Sequence, residues 1–211
     1  MFSLDISESR LEKFKRVSSK RQTDLTVVLE NVHDLHNIGA VLRSCDSVGI
    51  DEIYVIDTDS RLVGRKLIDN QSSSTGINKW ITIHEYNDIS KCITDLKKKY
   101  DLIIGTILDN TAKSIYSYNY LGKTAIVFGN EKDGITPDLQ NHIEHYMVIP
   151  QVGFAQSLNI SVACAVTLYE VYRQRDEKGF YKPKDADSIL NRYRHIDENK
   201  RLNKINKKPF T

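Results

Sequence analysis

The 211-residue sequence predicts an α/β protein: a mostly parallel sheet with helices over both faces. Three observations predict it. Short β-branched apolar runs alternate with segments whose apolar residues recur at helical spacing. The central runs are apolar at nearly every position, as in strands covered on both faces. Polar, glycine-containing segments follow three of the runs, at the carboxyl edge where ligands gather in such sheets.

Taken in order, a charged helix over about residues 7–19 precedes a first strand, 24–30. From Asn37 the residues Ile38, Val41, Leu42 and Cys45 mark a helix that Gly49 closes. Residues 52–56 and 80–86 read as strands, the second introduced by a turn at Ser72–Gly76. An amphipathic helix follows over 89–100, with Lys97, Lys98 and Lys99 expected in solvent. Residues 102–108 and 124–128 are central strands, and 146–149 is the last one. Ser157 opens a long apolar helix over 158–172, and the stretch from Lys200 onwards is polar enough to expect partial disorder.

A hydrophobic fraction of 40% with 27% charged residues belongs to a soluble globular chain. No apolar stretch reaches the roughly 20 residues of a membrane span, and no secretory signal opens the chain, so a cytoplasmic location is expected. Cys45, Cys92 and Cys164 are too few and too scattered for a disulfide framework or a zinc site. The net charge of +2 conceals an asymmetry: residues 1–24 hold six Lys/Arg against four Asp/Glu, and residues 176–211 hold ten against six. Basic ends on a mildly acidic body suit a partner that is a polyanion, although solvated tails would look the same. The expected organisation is a basic helical extension over 1–23, a main domain over 24–175 and a basic extension over 176–211.

The chain lacks G-x-G-x-x-G, the phosphate-loop signature, H-E-x-x-H and the G-x-S-x-G elbow. Dehydrogenase, nucleotide-binding and hydrolase readings therefore lose their usual support, and no metal is expected. What stands at the strand exits instead is Asn, Arg, Glu and Ser without a nucleophile–base pair, the composition of a site that orients reactants.

Those residues carry a resemblance. Asn37-x5-Arg43, Phe128-Gly-Asn-Glu131-Lys-Asp-Gly-Ile135 and Ile149-Pro…Gly153…Ser157-Leu-Asn159-Ile-Ser-Val-Ala163 resemble, in order, the three motifs of the SpoU–TrmH branch of SPOUT methyltransferases. The match runs from about Arg21 to Arg175. Within the branch, the stretches 20–26, 106–110 and 169–175 are most similar to the members that methylate guanosine-18 of tRNA. The resemblance implies S-adenosyl-L-methionine as methyl donor, a homodimer and a deep C-terminal trefoil knot, which topology rules alone would never suggest. It implies a cofactor pocket involving Thr106, Gly129, Ile149, Ser157 and Leu158. It assigns catalysis to Arg43 with Asn37, Glu131, Ser157 and Asn159, and tRNA contacts to Arg21, Arg173 and Arg175, with Lys13, Arg16 and Lys20 as further candidates.

The family often treats the arginine as general base. A guanidinium, with a pKa above about 12, keeps its proton, so Arg43 is expected to clamp the neighbouring phosphate and stabilise charge on the 2′-oxygen. Ribosomal RNA as substrate, and a structured-RNA-binding protein without catalysis, are the alternatives.

Overall fold

A computed structural model describes residues 6–62, 76–109, 111–179 and 185–206, which form two compact units. The larger lies within residues 22–180 and the smaller joins the two terminal stretches, within 1–21 and 181–211.

The larger unit holds β1 (Leu25–Glu30), α2 (Leu35–Ser47), β2 (Glu52–Ile56), β3 (Thr82–Tyr86), α3 (Ile89–Lys99), β4 (Leu102–Thr106), β5 (Lys113–Ser114), β6 (Thr124–Phe128), α4 (Pro137–Gln140), β7 (His145–Val148) and α5 (Ile160–Glu177). The sheet runs β3-β2-β1-β6-β4-β7-β5 with every pairing parallel, so all carboxyl ends share one edge. Alternation divides the strand residues between two cores. Val27 and Leu29 of β1 pack with Val41 and Leu42 of α2 and Cys164 and Leu168 of α5. Val28, with Val127 of β6, packs against Cys92 and Leu96 of α3 and Leu139 of α4. Cys45, Cys92 and Cys164 are buried thiols, and burial pushes that of Cys92 up to about 12.

At the amino edge, the buried Glu52 carboxylate gathers Lys99 Nζ (2.6 Å), Tyr100 Oη (2.8 Å), Tyr54 Oη (3.1 Å) and His84 Nε2 (3.2 Å). Burial alone would raise its pKa, but hydrogen bonds from His84, Lys99 and Tyr100 outweigh it and hold it at about 2. Lys97, Lys98 and Lys99 are all exposed as expected, and Lys99 in addition reaches back to the sheet through Glu52.

Several boundaries differ from the sequence reading. The last helix of the large unit starts at Ile160, because Asn159 Oδ1 accepts from Ser161 N and caps it, and it continues to Glu177. The two-residue β5 and the single turn of α4 carry no periodicity to read. Of the Ser72–Gly76 turn only Gly76 lies within the described residues, at φ +74°.

In the smaller unit α1 (Glu8–Ser18) packs on α6 (Ala186–Asn206). The helix runs through Lys200 to Asn206, where disorder was expected; residues 207–211 lie outside the described set. Phe14 meets the Tyr193 ring edge-on at 5.8 Å, and buried Asp197 pairs with Arg10 and, at 2.9 Å, with Arg201. No helix among the described residues is long and apolar enough to cross a membrane.

Candidate active site

Loops leaving β4, β6 and β7 enclose a cavity of about 610 Å³ at the carboxyl edge, within the roughly 300–1,000 Å³ typical of small-molecule sites. Thr106, Gly129, Ile149, Ser157 and Leu158, the residues expected to hold a cofactor, all line it. Ile149 and Leu158 supply half-buried apolar wall, and the strand-exit backbone supplies polar edges. Thr106 Oγ1 donates to Val127 O at 3.1 Å, tying β4 to β6 beside the cavity. Ser157 sits exposed in the loop before α5 rather than within it.

The loop after β6 is wound tightly. Asn130 and Gly134 exchange two backbone hydrogen bonds of 2.9 Å, and Asn130 Oδ1 accepts from Lys132 N at 2.8 Å. Gly134 adopts φ +70°, a conformation glycine enters without steric cost. A Cβ on Gly129 would fall 2.1 Å from the Gly134 carbonyl carbon, so no other residue fits there.

This winding presents Glu131 towards α2. Asn37 Nδ2 donates to Glu131 Oε1 at 2.7 Å, and Asn159 Nδ2 donates to Asn37 Oδ1 at 3.1 Å. One residue from each of the three sequence segments thus meets in a single hydrogen-bonded cluster. Glu131 also lines the cavity, so the cluster stands on its rim.

Arg43 is exposed on α2, six residues beyond Asn37 and therefore about 120° away around the helix axis at 100° per residue. It shares its face with Ser47, whose hydroxyl lies 3.5 Å from Tyr169 Oη on α5.

The three arginines expected to meet RNA are placed differently. Arg175 is fully buried: Nε donates to Tyr120 O (2.8 Å), Nη1 to Gln22 Oε1 (2.8 Å) and Asp24 Oδ1 (2.7 Å), and Nη2 to Gly122 O (2.7 Å). Arg21 is buried too, its Nε donating to Tyr193 Oη at 2.5 Å. Neither guanidinium reaches the surface, so both correct the expectation of RNA contacts. Arg173 is exposed, paired with Glu170 at 2.9 Å and Glu177 at 2.7 Å. Sequence reasoning passed over Asn130 and Glu30. The first sits inside a segment already singled out; the second ends a strand like any solvent-facing glutamate.

No group of three or more His, Cys, Asp or Glu side chains that would hold a metal occurs among the described residues. The fold and site define a class: a parallel-sheet protein that binds a small molecule at the strand exits and orients a second reactant beside it. The chain belongs to the SpoU rRNA Methylase family, whose model matches residues 24–169. It is 33% identical over 197 residues to a tRNA (guanosine(18)-2'-O)-methyltransferase of Aquifex aeolicus, covering 91% of this chain and 92% of that protein. Its likeness to the enzyme of the same name from Thermus thermophilus is 36% over 184 residues, 87% and 92% of the two chains. The crystal structure of the A. aeolicus TrmH/SpoU tRNA modifying enzyme matches with a TM-score of 0.80 at 34% identity, over 90% of this chain and 97% of that one.

Proposed function

We propose that this protein transfers a methyl group from S-adenosylmethionine to a guanosine ribose in tRNA, the 2′-hydroxyl of guanosine-18. The observation that carries the reading is the Asn37–Glu131–Asn159 cluster on the rim of the cavity, in a chain similar over most of its length to proteins named for that activity. When bound, the cofactor supplies an electrophilic sulfonium methyl.

The chain's own residues do the rest. Ile149 and Leu158 exclude water from the cofactor's apolar surface, and main-chain groups at the strand exits read its polar edge. Asn37 has its amide fixed at both ends and keeps one N–H for the ribose or its phosphate. Such fixing of in-line geometry is the main catalytic contribution open to a site without a nucleophile. Arg43 clamps the adjacent phosphate.

The same reading includes a homodimer. Val162, Val166 and Tyr169 are exposed on α5 at i, i+4 and i+7, an apolar stripe beside the helix face that carries Arg43. Pairing of two such stripes would bring Arg43 of one protomer towards the other's cavity. The family resemblance extends this reading to a threaded segment from Gly129 to the start of α5, the trefoil knot. Lys13, Arg16 and Lys20, exposed on or just after α1, are the stronger candidates for tRNA backbone contacts, with Arg173 on α5. Reduced, buried thiols suit the cytoplasm.

The test is methyl transfer from labelled S-adenosylmethionine to unmodified tRNA and rRNA transcripts, with mapping of the methylated nucleotide. Label at guanosine-18 is the expected result. Label confined to rRNA would move the substrate within the family, and binding of RNA without transfer would remove the enzyme reading.

A further inference from the structure

The residue that ends β1 is a carboxylate in a place that favours none. Glu30 is fully buried, flanked by β2 and β6. Burial raises its pKa, bonds from Thr136 partly offset that, and Asp138 and Asp59 add to the rise. An ion in such a position is costly to bury unless its lone pairs are used. Both oxygens are used by one residue: Oε2 accepts from Thr136 N at 2.8 Å, and Oε1 accepts from Thr136 Oγ1. Thr136 in turn caps α4, its Oγ1 accepting from Leu139 N at 3.3 Å. The next residue, Asn31, holds φ +53°, and its carbonyl accepts from Asn130 Nδ2 at 2.7 Å. The end of β1 therefore grips the loop after β6 at both feet, Asn130 and Thr136, with Glu131 raised between them.

We propose that Glu30 is a positioning residue for methyl transfer: through Thr136 it fixes the loop that carries Glu131, and so holds Asn37 in its reactive orientation. The proposal rests on the function proposed above. Glu131 meets Asn37 at 2.7 Å, and a shift of about 1 Å would take that contact beyond hydrogen-bonding distance. Misplacement on that scale can cost about a hundredfold in rate. Glu30 does not line the cavity and acts only through the loop.

The experiment compares Glu30→Met, which removes both acceptors, with Thr136→Val, Thr136→Ser and the double variant Glu30→Met/Thr136→Val, assayed well below their unfolding temperatures. We expect kcat to fall about tenfold or more in Thr136→Val and Glu30→Met, with KM for tRNA little changed. Thr136→Ser, which keeps the hydroxyl, should recover most of it. The double variant should be no worse than the poorer single one, since both cut the same link. Amide hydrogen exchange over 129–136 should quicken in Thr136→Val, a readout that needs no methyl transfer. Should Glu30→Met fail to fold, the Thr136 pair still decides. Unchanged kcat in Thr136→Val, or additive losses in the double variant, would overturn the proposal. An inactive parent protein would sink the function instead, leaving the exchange result to judge the link from Glu30 to the loop.

Discussion

Arg175→Ala separates a structural arginine from an RNA-binding one. The guanidinium has no exposed surface and serves Gln22, Asp24, Tyr120 and Gly122 at once, joining α5 to the entrance of β1 and to the connection before β6. Removing one partner of a buried ion pair costs about 3–5 kcal/mol. Asp24 retains 31% side-chain exposure and can be partly rehydrated, so the lower end, about 3 kcal/mol, is the better expectation. For a chain of this length each kcal/mol lowers Tm by roughly 2–4 °C, giving a fall of roughly 6–12 °C in a two-state melt followed by circular dichroism or calorimetry. Below that melt, tRNA affinity and the slope of log K against log salt should match the parent protein. A variant with unchanged Tm but a shallower salt slope would refute the reasoning, because loss of a phosphate contact reduces that slope by about one.

Glu52→Gln tests the amino-edge network: the carboxylate's folded pKa of about 2 lies below its unfolded 4.5. Its stabilisation is therefore complete above the unfolded value and lost as pH falls towards 2, and the stability gap between parent and variant in urea melts should shrink by up to about 3 kcal/mol across that window. Gly129→Ala should abolish binding of S-adenosylmethionine in calorimetric titration, because the added methyl displaces the Gly134 backbone; unchanged affinity would show that the loop tolerates it. Val166→Asp should convert a dimer to monomers in sedimentation velocity, and a persisting dimer would move the interface away from the α5 stripe. Arg43→Lys keeps the charge but loses the bidentate fork, so turnover on tRNA should fall at least about tenfold; full turnover would remove the phosphate clamp.

How much of this was legible follows from what each residue must satisfy. β1, β2 and β6 were readable because strands covered on both faces have no solvent side, and their apolar runs say so directly. α6 was hidden because its buried side is narrow and mixed: Ile189, Tyr193 and Asp197 recur at i, i+4 and i+8, and the aspartate breaks the apolar pattern that α1 completes through Arg10. Asn37, Glu131 and Asn159 could be singled out as types, although Asn159 also has a structural reason to be there as the cap of α5. That the three meet could not be read, because the contacts span 94 and 122 residues of sequence. Nor were the arginines legible. A cation is assigned to solvent by default, and nothing local distinguishes Arg173, in water beside two glutamates, from Arg175, two residues later and sealed inside.

The absence of a nucleophile–base pair now has a geometric meaning. Asn37 donates to Glu131 and accepts from Asn159, so both ends of its amide are committed before any ligand arrives and its flip is decided. Glu131 is held by a loop closed on itself and footed on β1, while Asn159 is held as the cap of α5. Each member is thus anchored to a different element, so that in the proposed function a ribose would meet a cluster that is already formed. Well-oriented reactants gain about 7–11 kcal/mol from preorganisation alone, and transfer from a sulfonium releases a neutral thioether that needs no acid to help it leave. A hydroxyl brought by the substrate then serves as nucleophile, its proton passing to the adjacent phosphate or to water as the new C–O bond forms. In the proposed function the protein's main task is to hold that oxygen in line, which an interlocked amide–carboxylate–amide cluster can perform.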